Sequence, residues 1–208
     1  MKLTTITNIS VDGVIQGGGG PDEDRRGGFE RGGWTSPYFD TEAAEFTGQK
    51  YREAEAFLLG RWTYNVFAQY WGRMSVDSNP IAAGLNTKPK YVASNTLTNP
   101  GWSNSTVLSS DELEGSIAEL KAQPGGELLV PGGGILHRWL YANRHVDELT
   151  LLIYPVIVGQ GTRLFPTEGI DAFLELIDSR TTPKGVTIQT YRPTARPEYA
   201  LGSPDPVQ

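Results

Sequence analysis

The sequence contains no cysteine and only two histidines, His137 and His145. The missing cysteines exclude disulfides, thiolate nucleophiles, iron–sulfur clusters and cysteine zinc sites. Neither histidine belongs to an HExxH arrangement, so a histidine-rich catalytic metal site is not expected either. We therefore predict no bound metal.

Basic charge is also scarce. The formal net charge is −6, with 18 Lys and Arg against 24 Asp and Glu. Such a chain offers no basic surface to nucleic acid or to an anionic membrane, so neither is expected as a partner. An anionic ligand would need a local site built from helix N-termini and individual arginines.

Long hydrophobic runs are missing as well. The longest strongly apolar stretch, residues 149–158, is too short to cross a bilayer, and the N-terminal MKLTTITNIS lacks the apolar core of a secretory signal. A cytoplasmic location is therefore expected. The 208 residues, 38% of them hydrophobic, predict one packed domain over residues 1–192 and a loosely held, proline-rich tail over 193–208.

Hydrophobic periodicity predicts alternating strands and helices up to residue 146 and strands alone after it. The predicted strands are 2–10, 56–60, 90–94, 106–108, 127–130, 148–158, 173–179 and 186–191. The predicted helices are 38–52, 61–71, 81–85, 109–122 and 135–142, the fourth beginning with a capping box of Ser109 and Glu112. This order predicts an α/β fold: a mixed, mostly parallel sheet, helices on both faces and an antiparallel C-terminal part.

Two strand-to-helix junctions are suited to phosphate. At residues 128–136 a buried strand runs into Gly132, Gly133 and Gly134 before the next helix, so the backbone can approach a ligand closely beside a helix N-terminus. Taken alone, such a turn is more often a tight connection. The second junction, at residues 58–64, adds a bidentate donor in Arg61. A surface arginine paired with a carboxylate is the alternative for that residue.

A glycine-rich segment at residues 17–33 is too long and irregular for a simple connection inside a compact domain. It is either a functional loop or a flexible surface insertion.

Five motifs occur in a defined order along the chain: SVDG at 10–13, LGRWTY at 59–64, YVAS at 91–94, VPGGG at 130–134 and VIVGQGTRLFP at 156–166. Together they resemble the dihydrofolate-reductase-like superfamily from about residue 2 to 191, and particularly the reductase domain of the riboflavin-pathway deaminase-reductase. A deaminase partner domain is excluded, because its zinc site requires cysteines.

The resemblance implies a dihydrofolate-reductase-like fold that binds NADPH. Arg61 and Thr63, with Gly60 allowing close approach, would hold cofactor phosphates, and Ser94 and Asn95 would lie near the adenosine 2′-phosphate. The remaining implied contacts surround the pyrophosphate, the nicotinamide and its ribose: Gly132, Gly133, Gly134, Ile135, the backbone of Asn8 and the side chain of Ile15. The glycine-rich loop would cover the nicotinamide ring. The peptide between Gly132 and Gly133 would be strained, with a cis bond as one form of that strain.

The catalytic residues are less defined. Asp40 and Glu42 are the preferred candidates for the carboxylate that orients the substrate or relays a proton, and Glu45 is a third candidate. The alternative for each is an acidic residue at a helix start that is favoured by the helix dipole and faces water. His137 would face either the nicotinamide or, as favoured here, the surface.

We expect an NADPH-dependent reductase that acts on a C=N or C=O bond of a small heterocyclic or sugar-derived substrate. A catalytically silent nucleotide-binding or sensing protein of the same fold is the alternative. Enzymes of the short-chain type are disfavoured, because no Tyr-x-x-x-Lys pair occurs. The resemblance also makes a homodimer plausible.

Overall fold

A computed structural model describes residues 1–199. The strands are β1 (Lys2–Ser10), β2 (Ala54–Gly60), β3 (Lys90–Ala93), β4 (Ser105–Leu108), β5 (Glu127–Pro131), β6 (Glu148–Tyr154), β7 (Leu174–Thr181) and β8 (Thr187–Pro193). The α-helices are α1 (Thr41–Glu53), α2 (Arg61–Tyr70), α3 (Pro80–Thr87), α4 (Leu113–Ala122) and α5 (Ile135–Ala142), with short 3-10 turns at Arg26–Gly28 and Trp71–Arg73.

All eight strands form one sheet in the order β4-β3-β2-β5-β1-β6-β8-β7. The first six run parallel, whereas β8 pairs antiparallel with both β6 and β7. The predicted mixed, mostly parallel sheet with an antiparallel C-terminal part is therefore confirmed.

Helices cover both faces of the parallel part, as predicted, and this explains why residues 56–59 of strand β2 are all apolar. Phe57 and Leu59 point to one face, whereas Ala56 and Leu58 point to the other, and all four are buried. The first face packs against side chains of α1, α2 and α3, namely Phe46, Tyr51, Tyr64 and Leu85. The second packs against side chains of α4 and α5, namely Leu113, Ile117, Leu120, Leu136 and Leu140.

This division of the helices creates a topological switch at strand β5. Its neighbours in the sheet, β2 and β1, are followed by helices on one face, whereas β5 is followed by α5 on the other. Chains that leave adjacent strand ends in opposite directions open a crevice between them, and ligands of open α/β sheets bind there. The crevice expected to bind a ligand therefore lies at the carboxyl end of β5.

Two local expectations are wrong. Helix α4 starts after Glu112, which makes no side-chain cap, and the Ser109 hydroxyl bonds Asn95 instead of closing a capping box. The start of the tail is not loose, since Thr194 donates to the carbonyl of Phe173 and the Phe173 N–H donates to Ala195. Residues 200–208 of the predicted tail lie outside the described part of the chain.

Among residues 1–199, no helix combines the length and the apolar character that crossing a bilayer requires.

An unusual charge lies inside the core. Lys90 is fully buried, and its ammonium donates to the carbonyls of Leu85 (2.5 Å) and Lys88 (3.0 Å) at the end of α3. The ammonium also lies 4.8 Å from the centre of the Trp102 ring. Burial lowers the pKa of Lys90 from 10.5 to about 8.

Between pH 8 and 10 the unfolded chain keeps a proton on Lys90 that the folded protein has lost, so stability should rise with pH. We expect the free energy of unfolding to increase by roughly 2 kcal/mol over this range. Urea denaturation at several pH values measures it. Lys90→Met is the control, and an equal rise in that variant would contradict the assignment.

Candidate functional site

The glycine turn after β5, residues 132–134, is in close contact with side chains from two neighbouring segments. A Cβ added to Gly132 would lie 3.1 Å from the Thr63 hydroxyl, and one added to Gly133 would lie 2.6 Å from Ile15 Cδ1. Gly132 also has a positive φ of 99°. Glycine is therefore required here by space and by backbone conformation. The glycine turn and the start of α2 follow β5 and β2, which are neighbours in the sheet.

Both helices that start at this edge begin without a side-chain cap. Gly134 precedes α5 and Gly60 precedes α2, and neither offers a side chain to the first backbone N–H groups. Uncapped N–H groups and the positive end of the helix dipole favour an anion. Two such starts at the ends of neighbouring strands form a cradle of uncapped N–H groups.

Arg61 is the first residue of α2, and its guanidinium is only partly satisfied. Nη1 is buried and has no hydrogen-bond partner among residues 1–199, and no carboxylate in that part of the chain pairs with Arg61. A buried unpaired donor on a charged group is costly unless a ligand completes it. The alternative of an arginine neutralised by a surface carboxylate is not found.

An open depression of about 410 Å³ lies where β3 and β4 end, lined by Ser94, Asn95, Val107, Ser109 and Asp111. The Ser94 hydroxyl accepts from the N–H groups of Thr96 and Leu97 and lies 3.5 Å from the Thr96 hydroxyl, so its proton is directed either to Thr96 or to a ligand. Asn95 accepts from the N–H of Ser110 at 2.6 Å, so its carbonyl oxygen stabilises the local loop.

Strand β1 brings Asn8 to the same edge of the sheet. Asn8 is exposed although β1 is a central strand, and the Tyr154 hydroxyl donates to its Oδ1 at 3.4 Å. Ile135, the first residue of α5, is 82% exposed beside the glycine turn. These residues provide a polar and an apolar surface next to the cradle.

Asp40 caps helix α1. One carboxylate oxygen accepts from the N–H of Ala43 at 3.0 Å and the other from the N–H of Lys184 at 2.9 Å. These hydrogen bonds, that of Ala43 first, lower the pKa of Asp40. Together with burial, the charge of Asp40 raises the pKa of Tyr154. Glu42 lies half-buried in the first turn of α1, where the helix dipole favours an acid in any case.

Two expectations near the glycine turn are wrong. His137 faces neither the surface nor open space: it is 1% exposed, and its Nε2 lies 3.0 Å from the carbonyl of Val130, to which it donates. Burial lowers its pKa to about 4, so the ring is neutral near pH 7. The peptide between Gly132 and Gly133 is trans, as are all peptide bonds in residues 1–199.

The glycine-rich loop packs against the rest of the fold. Phe29 and Trp34 are buried, and the indole N–H of Trp34 donates to the carbonyl of Gln16 at 2.8 Å. Residues 17–33 are therefore attached to the fold at Phe29, although most of residues 19–31 are exposed.

The sequence analysis did not predict the contact that joins the SVDG motif at 10–13 to the VIVGQGTRLFP motif at 156–166. Asp12 accepts from the N–H groups of Val158 (2.9 Å) and Gly159 (2.8 Å). Burial raises the pKa of Asp12, but these hydrogen bonds and one from the Ser10 hydroxyl outweigh it and lower the pKa to about 2. An aspartate inside a turn, next to a strand end, was the available signal.

Gly132 provides a direct test of the crowded turn. Gly132→Ala should lower the free energy of unfolding by about 1–2 kcal/mol, because a Cβ is disfavoured at positive φ and would press on Thr63. Gly115→Ala in α4, where the added Cβ meets open space, should instead stabilise by about 0.5–1 kcal/mol. Denaturant titrations of both variants measure the difference, and a loss no greater at Gly132 than at Gly115 would refute the close packing.

Comparisons with known proteins agree with this fold. YyaP of Bacillus subtilis strain 168 is 25% identical over 188 residues, which cover 88% of this chain and 90% of that protein. The crystal structure of a pyrimidine reductase-like protein from Corynebacterium diphtheriae matches with a TM-score of 0.59 and 15% identity, covering 93% of this chain and 92% of that one.

Dihydrofolate reductase from Enterococcus faecalis, complexed with NADP(H), matches with a TM-score of 0.57 and 16% identity, covering 93% of this chain and 97% of that one. At these identities the structural matches establish the fold alone, which is dihydrofolate-reductase-like. The family model for the RibD C-terminal domain matches residues 1–188, nearly the whole length. The chain therefore belongs to the RibD C-terminal domain family.

Proposed function

We propose that the protein is an NADPH-dependent reductase that transfers a hydride to a C=N or C=O bond of a small heterocyclic or sugar-derived substrate. The observation that carries the proposal is the buried Nη1 of Arg61, unpaired at a helix start that touches the glycine turn. Membership of the RibD C-terminal domain family and the fold shared with a dihydrofolate reductase that binds NADP(H) support it.

The cofactor phosphates would lie between the two uncapped helix starts. Backbone N–H groups at the beginnings of α2 and α5 would donate to the pyrophosphate, and Gly132 would let the chain approach it closely. The Thr63 hydroxyl, which already lies beside Gly132, adds a further donor. Neither helix start is already occupied by a capping side chain.

The 2′-phosphate would distinguish NADPH from NADH. Arg61 offers the unpaired Nη1 and Ser94 offers the proton of its hydroxyl, whereas Asn95 shapes the loop beside them. A dianion gains charge-assisted hydrogen bonds from such a pair that a ribose hydroxyl cannot match.

The nicotinamide would lie over the glycine turn, near the backbone of Asn8 and the side chains of Ile15 and Ile135. NADPH supplies the hydride when bound. Ile15 and Ile135 are apolar, so they would exclude water from the face at which the hydride leaves.

Asp40 is the proposed orienting group for the substrate, with Glu42 as the second carboxylate of this helix start. Because its lowered pKa keeps Asp40 ionised, it would accept a hydrogen bond from a ring N–H of the substrate. The proton that completes the reduction would then come from water.

Arg61→Ala tests the choice of cofactor. Loss of a charge-assisted hydrogen bond should weaken NADPH binding by roughly ten- to a hundredfold and leave NADH binding nearly unchanged. Titration of both nucleotides by fluorescence quenching at fixed salt measures it. Arg73→Ala, at an exposed arginine after α2, is the matched control.

Equal affinities of the wild type for NADPH and NADH, or equal losses in Arg61→Ala, would contradict the assignment. The silent alternative is separated by turnover: NADPH that binds tightly but is not oxidised with folates, ribosylaminopyrimidinones or simple imines favours a sensing protein.

We also propose that the protein is a homodimer that pairs through the β7–β8 part of the sheet. Phe173 and Leu176 are more than half exposed there, and Leu174 and Tyr191 are half-buried on the face that α4 and α5 cover elsewhere. A second copy would bury this apolar face by twofold symmetry.

Light scattering should give about twice the chain mass of 22.7 kDa for the wild type. Leu176→Lys in β7 should shift the mass towards the monomer. Val76→Lys, at an exposed apolar residue of the loop before α3, should not. A wild type of monomeric mass at micromolar concentration would remove the proposal.

A further inference from the structure

Asn8 breaks the burial pattern of strand β1. The strand lies inside the sheet, between β5 and β6, and its residues from Leu3 to Ser10 are buried with Asn8 as the exception. Asparagine is among the residues that strands avoid. An exposed polar side chain on a central strand therefore indicates an opening above the sheet and a role other than packing.

The Asn8 side chain lies on the face of the sheet that α1 and α2 cover. Residues two apart on a strand share a face, and Ile6 belongs to the core cluster that includes side chains of both helices. Tyr154, on the neighbouring strand β6, belongs to the same cluster, and the charge of Asp40 acts on its hydroxyl. The opening above Asn8 thus lies beside the start of α1, where the proposed function places the substrate.

The Tyr154 hydroxyl determines the orientation of the Asn8 amide. Tyr154 is fully buried, and its hydroxyl donates to Asn8 Oδ1 at 3.4 Å, the one hydrogen bond that this hydroxyl makes within residues 1–199. Burial and the charge of Asp40 raise the pKa of Tyr154, so the hydroxyl keeps its proton. Since a buried hydroxyl needs an acceptor, an amide rotated by half a turn, with its NH2 group inwards, is disfavoured.

The amide nitrogen of Asn8 is therefore directed away from Tyr154. Nδ2 donates no hydrogen bond to the part of the chain that the structure describes, and the residue is exposed. A fixed, neutral N–H donor is suited to an oxygen that gains negative charge during a reaction. It is not suited to a protonated imine, because the N–H of such a group requires an acceptor.

We propose that Asn8 is a catalytic residue that donates a hydrogen bond from Nδ2 to a carbonyl oxygen of the substrate, and that Tyr154 is its positioning residue. This inference rests on the proposed function and narrows its substrate class to C=O compounds. The carbonyl carbon accepts the hydride of NADPH, which leaves NADP⁺, and the π-electron pair of the C=O bond moves to the oxygen. Water then protonates the alkoxide, which gives an alcohol and hydroxide.

The two residues should differ in the size of their effects. The oxygen becomes charged only as the hydride arrives, so the hydrogen bond from Asn8 strengthens in the transition state. Loss of such a donor lowers kcat roughly a hundredfold or more. The hydrogen bond from Tyr154 only holds the amide in place, and its net contribution corresponds to roughly two- to tenfold.

The first experiment follows NADPH oxidation by absorbance with two carbonyl compounds, glyceraldehyde and isatin, and two C=N compounds, dihydrofolate and pyrroline. We expect the wild type to reduce the carbonyl compounds. Reduction of the C=N compounds alone would overturn this inference and leave the proposed function intact. NADPH that does not bind, or that binds without being oxidised by any of these compounds, would overturn both.

Variants of the two residues test their roles with the carbonyl compound that is reduced. Asn8→Ala should lower kcat roughly a hundredfold, with a smaller change in KM and an unchanged Kd for NADPH. Asn8→Asp should lower kcat at least as far, because a carboxylate repels the developing alkoxide. Tyr154→Phe should lower kcat roughly two- to tenfold in the wild type and not at all in Asn8→Ala. If C=N compounds are reduced as well, Asn8→Ala should lose the carbonyl activity selectively.

Tyr141→Phe is the matched control. Tyr141 is also a buried tyrosine, and its hydroxyl lies 3.0 Å from that of Thr5 on the same strand, but on the opposite face of the sheet. Its kcat should equal that of the wild type. Unchanged kcat in Asn8→Ala, or equal losses in Tyr154→Phe and Tyr141→Phe, would overturn the assignment. A loss of NADPH affinity in Asn8→Ala as large as its loss of kcat would do the same, since the amide would then hold the nicotinamide.

Discussion

The structure depends on the direction in which the chain leaves strand β5. Helix α5 departs to the opposite face from the helices that follow β2 and β1, so the backbone between them forms the floor of a crevice. Thr63 presses on that floor from α2 and Ile15 presses on it from the segment after β1. Only glycine fits beneath the Thr63 and Ile15 side chains. These contacts bring the glycine turn, the start of α2 and the segment after β1 together at one edge of the sheet.

Lys90 and Arg61 show how differently the fold treats charge. Buried Lys90 donates to carbonyls at the end of α3 and faces an aromatic ring, so its donors are paired within the chain even though burial lowers its pKa. Arg61 is only partly buried, but its buried Nη1 has no partner among residues 1–199. The first arrangement pairs the charge inside the fold, whereas the second leaves a donor for an anion at the cradle of helix starts.

Much of the fold was readable from the sequence because strands β2, β5 and β6 contain short apolar runs. Helix α5 follows its glycines over the predicted residues 135–142, and β2 differs from its prediction by two residues. Long-range contacts were not readable. The burial of His137 depends on a carbonyl of β5, and the packing of the glycine-rich loop depends on the 158–162 turn, which lies more than a hundred residues away. The candidate site could be predicted where local geometry defines it, and the carboxylates of α1 could not be assigned because capping and catalysis favour the same residues.

A crystal structure of the protein with NADP⁺ would test the proposed cofactor site. We expect the pyrophosphate between the starts of α2 and α5, with Arg61 Nη1 within about 3.5 Å of a phosphate oxygen. A nucleotide bound away from the glycine turn, or an Arg61 Nη1 that stays unpaired in the complex, would contradict it.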